Sequence, residues 1–232
     1  MIVILSAAKD PYSANGEILR CAQDDNSLLR MTPTTAPQLT SYFCPMTAQP
    51  VASTRAGLRL GRRVIHQLRA SLERDTGQQA AAYLQEAGFA GGEELYASFT
   101  EWLSRSRGVN GPTDLDIKFL GEVLGEFFAE QGWGRLEATP LGSAVLALDS
   151  SEWAEAVDER QAEFPSCHLS CGLLADFLGR ISQDVVAVME VECRSRGEAR
   201  CRFLAGSPDT LGILYDRMAQ GTGYLEALGV KR

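Results

Sequence analysis

Apolar residues recur at steps of three and four from Ser53 onward. Leu58, Val64, Ile65 and Leu68 carry this period to about Arg74, and Gly77 stops it, which predicts a first helix. A second helix spans Gln78 to Glu86 and ends at Gly88. A third runs from about Gly92 to Ser106, with Leu95, Phe99, Trp102 and Leu103 on one face. The segment GVNGPTD breaks the pattern. Thr113 or Asp114 then stands ready to cap a fourth helix that carries Leu115, Phe119, Val123, Leu124 and Phe127 as far as Gln131.

The period next changes to two. Trp133 to Ser150, WGRLEATPLGSAVLALDS, alternates around a central Leu-Gly-Ser and predicts a hairpin. Ser151 to Glu163 reads as a short helix. Pro165 precedes another, from about Ser166 to Ile181, with Leu169, Leu173, Phe177 and Leu178 inward. Asp184 to Arg194 and Glu198 to Leu204 read as strands joined by Ser195-Arg196-Gly197, and Ser207-Pro208-Asp209 opens a last helix to about Gln220. Helices first, then strands with interleaved helices, predict an α+β fold in which a helical layer packs on one face of an antiparallel sheet.

Residues 1–50 show no sustained period. MTPTTAPQLTSYFCPMTAQP is loop-like, and an ordered loop of that length is uncommon. SAAKDPYSANGEILRCAQDDN resembles the in-frame translation of certain bacterial intergenic repeats. The stretch is therefore read as a disordered or mis-assigned extension, with the true start at Met31 or Met46 and no function for Cys21 and Cys44. Residues 51–222 make up the domain and 223–232 a tail.

Composition narrows the classes. The chain has 232 residues, 45% hydrophobic and 22% charged, which suits one globular domain and excludes wholesale disorder. A net charge of −8 gives no basic stripe to displace counterions, so a nucleic-acid partner is not expected. Arg55, Arg59, Arg62, Arg63 and Arg69 cluster on the first helix, with Glu73 and Asp75 after them, and read as a solvated face. No apolar run approaches the roughly 18–20 residues of a membrane span. MIVILSAAKDP has no basic residue ahead of its apolar stretch, so it makes a poor signal peptide and a cytoplasmic protein is expected. Disulfides are disfavoured there. Four of the six cysteines fall between Cys167 and Cys201, and that clustering points to a metal.

EVECRSRGEARC concentrates the chemistry. With the turn centred on Gly197, Cys193 and Cys201 oppose each other on paired strands, with β-carbons about 4.5–5.5 Å apart. Two thiolates so placed can share a tetrahedral ion at zinc–sulfur distances of about 2.3 Å. Glu190 lies three residues before Cys193, so strict alternation puts it on the other face unless the strand bulges. Glu192 has the same parity problem. Cys167, at the start of the preceding helix, offers a fourth ligand and Cys171, one turn on, competes with it. The ordinary alternative is a set of buried thiols acting as small hydrophobes.

Cys167, Glu190-Val191-Glu192-Cys193, Gly197, Cys201 and Phe203 resemble the C-terminal signature of 4-vinyl reductase domains. Gly132-Trp133-Gly134 and the Arg55–Gly57–Leu58–Gly61 helix start resemble that family too, so the likeness spans about residues 55–220. The family includes sensor domains of bacterial aromatic-compound regulators and a protein linked to bacteriochlorophyll synthesis. It shares its fold, a helical layer on an antiparallel sheet, with TRAPP subunits, and commonly dimerises. The resemblance implies one zinc on Cys167, Glu190, Cys193 and Cys201, choosing Glu190 over Glu192 and Cys167 over Cys171. Three thiolates and a carboxylate would leave no open position, so such a zinc is structural.

The resemblance also implies a small aromatic or hydrocarbon ligand between helices and sheet, for which Phe99, Trp102, Phe119, Phe127, Trp133 and Phe177 are the candidates. Stripes of this kind are also what any core helix shows. The phenol sensors hold the hydroxyl with a His–Trp pair. Here only His66, on the first helix at the surface or a dimer contact, and His168, beside Cys167, exist. An apolar or larger ligand therefore fits better than phenol. The reading that follows is a zinc-stabilised binding or sensing module acting as a homodimer. Alternatives are an accessory or carrier protein in (bacterio)chlorophyll 8-vinyl reduction and a TRAPP-like interaction scaffold. No Gly-rich dinucleotide fingerprint, flavin pattern or iron–sulfur pattern supports a reductase, so catalytic residues are not assigned.

Overall fold

The computed structural model describes residues 60–112, 115–157 and 162–230. The reading of residues 1–50, and with it Arg55, Leu58 and Arg59, lies outside the described residues. Four helices come first: α1 Arg62–Thr76, α2 Gln79–Ala90, α3 Gly92–Arg107 and α4 Ile117–Glu130. The hairpin β1 Glu137–Leu141 and β2 Val145–Ser150 follows, then α5 His168–Ser182, β3 Ala187–Glu192, β4 Cys201–Gly206, α6 Pro208–Ala219 and a short α7 Tyr224–Ala227. The four strands form one antiparallel sheet in the order β1-β2-β4-β3. The fold is α+β, as the change of period predicts.

Strand alternation divides the core in two. Phe203, Ala205, Leu148 and Val188 turn toward α3, α4 and α5 and join Phe99, Trp102, Val123, Phe127 and Phe177. Leu204, Ala147, Ala187 and Met189 turn the other way, against Leu211 and Leu214 of α6 and Ala227 of α7. Residues 224–227, in the stretch read as a tail, thus cover part of the sheet's back face.

Several local expectations are corrected. The α2 pattern does not end at Gly88. The helix runs through it because glycine is required by contact: a Cβ on Gly88 would lie 1.9 Å from the Leu169 carbonyl oxygen, and one on Gly172 would lie 1.9 Å from that of Gln85. Each helix therefore gives up a side chain so that the α2 and α5 backbones can touch. The cap of α4 is Asp116, whose Oδ1 accepts from the backbone N–H of Lys118 at 2.9 Å and Phe119 at 2.8 Å; Thr113 and Asp114 lie outside the described residues. Ser151 to Glu163 forms no helix over its described residues, because Trp153 and Glu155 are pulled inward instead. On α1, Val64 and Leu68 are 45% and 56% exposed, whereas Arg69, read as part of the solvated arginine face, is 1% exposed. Tertiary hydrogen bonds to that one guanidinium, rather than the apolar stripe, decide which side of α1 faces inward.

Candidate metal centre

β3 is irregular where the chemistry sits. Glu190 pairs with Phe203 but Glu192 pairs with Arg202, so Val191 is an extra residue, a β-bulge. The bulge resolves the parity problem. Glu190 and Cys193 come to the front face, and Glu192 turns to the back, where its carboxylate accepts from Arg200 Nε at 2.9 Å and from the Tyr224 hydroxyl. Cys201 opens β4. Cys167 is the N-cap residue of α5, held close because the Glu190 carboxylate accepts its backbone N–H at 2.9 Å.

The three sulfurs and a Glu190 carboxylate oxygen all lie within 4.8 Å of one another. Cys167 Sγ is 3.9 Å from both Cys193 Sγ and Cys201 Sγ. Thiolates on one tetrahedral zinc stand about 3.8 Å apart, given zinc–sulfur bonds of about 2.3 Å. The three cysteines are fully buried and Glu190 is 5% exposed, with its Oε1 lacking a hydrogen-bond partner. Burial pushes the Cys167 thiol and the Glu190 carboxyl well above their ordinary ranges, while hydrogen bonds from Cys167 and Cys201 pull the Cys193 thiol down. A buried carboxyl oxygen without a partner beside converging sulfurs is what a cation would satisfy. The donor set fits a divalent metal ion that accepts both thiolate and carboxylate. Cys171 is also buried but stands outside this group of four.

The supporting polar groups were not legible in the sequence. The Glu155 carboxylate, fully buried, accepts from the N–H groups of Leu169 at 3.0 Å and Ser170 at 2.8 Å, and from the Ser170 hydroxyl. It thereby caps α5 from a distant loop. Burial raises its pKa, opposed by the Ser170 hydrogen bonds and by Arg69. Trp153 Nε1 donates to the same Ser170 hydroxyl at 2.7 Å. His66 donates from Nε2 to the Ala154 carbonyl at 3.0 Å, and burial, with Arg69 adding to it, pushes His168 down to about 4. No local pattern marks Glu155 or Arg69, because each is buried by partners on remote segments.

Of the ring residues, Phe99, Trp102, Phe127 and Phe177 are buried and pack on one another at centroid distances of 5.0 to 6.5 Å. Phe119 and Trp133 are half-buried at the margin of the same cluster, and Trp133 stacks on Trp153 at 5.6 Å.

Residues 151–207 match the vinyl-4-reductase domain family. The matched segment holds all four donors and Glu155; Arg69 lies outside it. The match agrees with the resemblance to 4-vinyl reductase domains drawn from the cysteine and glutamate spacing. Comparison with curated proteins gives no match. Among solved structures, a trafficking protein particle complex subunit 3 from Naegleria fowleri, described as covalently bound to palmitic acid, superposes with a TM-score of 0.51 at 15% identity, over 62% of this chain and 91% of that one. The phenol-responsive sensory domain of the transcription activator PoxR gives 0.49 at 15% identity, over 65% and 76%. A vinyl-4-reductase family protein from Methanocaldococcus jannaschii gives 0.43 at 20% identity, over 65% and 83%. Among the described residues, no helix is long and apolar enough to cross a membrane.

Proposed function

We propose that this chain is a zinc-stabilised module that binds or senses a small aromatic or hydrocarbon molecule and works as a homodimer. The observation that carries the zinc reading is the convergence of Cys167, Glu190, Cys193 and Cys201 within 4.8 Å, all buried. Bound there, zinc would supply a closed tetrahedral clamp across the start of α5, the β3 bulge and the start of β4, and no open position for chemistry. Cys167 and the two hairpin cysteines would hold it as thiolates. Glu190 would use the oxygen that otherwise lacks a partner.

The ligand reading rests on the vinyl-4-reductase domain match and on the ring cluster between helices and sheet. Phe99, Trp102, Phe127 and Phe177 offer faces and edges to an apolar guest, and half-buried Phe119 and Trp133 mark its approach. The Trp102 Nε1–H is already taken by Glu130 Oε2 at 2.8 Å, so a guest would be held by ring contact rather than by that donor.

Elemental analysis of protein purified without added metal tests the first half: about one zinc per chain is expected, and no metal with freely reactive thiols would remove the reading. Titration with phenol, toluene and a longer hydrocarbon, followed by tryptophan fluorescence and thermal shift, tests the second. Stabilisation that is seen in the wild type and disappears in Trp133→Ala, with zinc content unchanged, is the expected result. No response to any of the three would leave a zinc-clamped scaffold with the fold that the trafficking subunit shares.

A further inference from the structure

A buried guanidinium stands beside the metal donors, and its hydrogen bonds among the described residues go to neutral acceptors. Arg69 of α1 is 1% exposed. Its Nη1 donates to the carbonyls of Glu155 at 3.2 Å and Ser166 at 3.1 Å and to the Ser166 hydroxyl at 3.4 Å. Its Nε has no hydrogen-bond partner, and Glu73 Oε1 lies 3.8 Å from it, beyond hydrogen-bond range. Burial of a charge on these terms is costly unless further negative charge lies nearby.

The Ser166 hydroxyl connects that charge to the cluster. Ser166 Oγ is 3.9 Å from Cys193 Sγ. Arginine can only donate, so Oγ accepts from Arg69 and its own proton is free for the sulfur. Ser166 also directly precedes Cys167, and its carbonyl is another atom that Arg69 grips. One side chain thus fixes the residue that presents Cys167 and polarises the hydroxyl aimed at Cys193.

Charge counting shows why this matters. Three thiolates and one carboxylate carry four negative charges, and a divalent ion cancels two, so the loaded centre keeps a double negative charge in a buried site. The N-terminus of α5 offsets part of it. Arg69 is the buried side-chain cation that the Ser166 hydrogen bonds tie to the same place.

We propose that Arg69 is a positioning and charge-balancing residue of the metal centre, acting on the Cys193 thiolate through the Ser166 hydroxyl. The proposal rests on the zinc reading above, and its test separates the two. Zinc affinity of the full chain is measured by competition with a chromophoric chelator for wild type, Arg69→Met, Arg69→Lys, Ser166→Ala and the Arg69→Met/Ser166→Ala double variant. The sulfur-to-metal charge-transfer bands of the cobalt(II) forms are recorded alongside.

Arg69→Met is expected to weaken zinc binding by about ten- to a hundredfold, the usual effect of removing a group that orients a metal ligand. Its cobalt bands should move to longer wavelength, because the thiolate loses a stabilising donor. Arg69→Lys should recover part of the affinity by keeping the charge. Ser166→Ala should show a smaller loss, and the double variant should lose no more than Arg69→Met alone. If Arg69→Met binds zinc as tightly as wild type, with unshifted bands and only a lower melting temperature, Arg69 is a packing residue and the proposal is overturned. Should Arg69→Met fail to fold, Ser166→Ala decides: wild-type affinity and bands there overturn it equally. A wild type that takes up no zinc removes the metal reading itself, and the proposal with it.

Discussion

Cys193 and Cys201 are fully buried, and each contributes a sulfur to the group within 4.8 Å. Replacing either with serine is expected to abolish zinc uptake and to cost about 4 kcal/mol or more in denaturant unfolding, the range of a lost structural metal. Cys171→Ser should keep full zinc content, since Cys171 stands outside the group; equal loss of zinc there would overturn the ligand assignment. His168 carries a pH prediction. Its pKa in the folded chain is pushed down to about 4, first by burial and then by Arg69, against about 6.5 when exposed. Between these values the unfolded chain binds the proton more readily. Stability is therefore fully present above about pH 6.5, falls as the pH drops, and levels off below about 4. The loss is on the order of 1–3 kcal/mol. A His168→Gln variant should unfold with a flatter pH dependence across that window; an unchanged slope would show that another group titrates.

Among the elements, the α2–α5 pair is the most demanding. Ala in place of Gly88 or Gly172 would set a Cβ 1.9 Å from a facing carbonyl oxygen, so the helices must separate. A loss of about 3 kcal/mol or more is expected, since the obstacle is backbone rather than a movable side chain. Asp116→Ala should cost only about 1 kcal/mol, the usual value of an N-cap, and the two chemical-denaturation curves together test whether contact or capping dominates here. The sequence marked both glycines but assigned Gly88 to a helix end. A glycine needed for close approach and one needed for a cap look alike in one dimension, and only the facing helix distinguishes them. The β3 bulge was legible as a condition: Glu190 can reach the front face only with an extra residue in the strand. Val191 is that residue, and it sends Glu192 to Arg200 and Tyr224 on the back.

For the whole molecule, the candidate centre ties three separate segments: the start of α5, the end of β3 and the start of β4. A strong chelator should lower the melting temperature of the zinc-loaded chain, and added zinc should restore it; insensitivity to both would sever the link between metal and fold. Light scattering of the intact chain would test the homodimer, with a monomer mass at micromolar concentration counting against it. The α+β class, the order of elements, the hairpins and the cysteine–glutamate motif were all determined by the sequence itself. Each is written in a local period, a turn residue or a fixed spacing, and such signals do not depend on what lies across the core. Tertiary structure alone decided that Arg69 is inside while Val64 and Leu68 are outside, that Glu155 caps a helix it does not belong to, and that the back face is covered by α6 and α7. The physical reason is shared. Burial of a polar group, like the covering of a sheet face, is set by which distant segments reach it, and no local pattern records where those segments go.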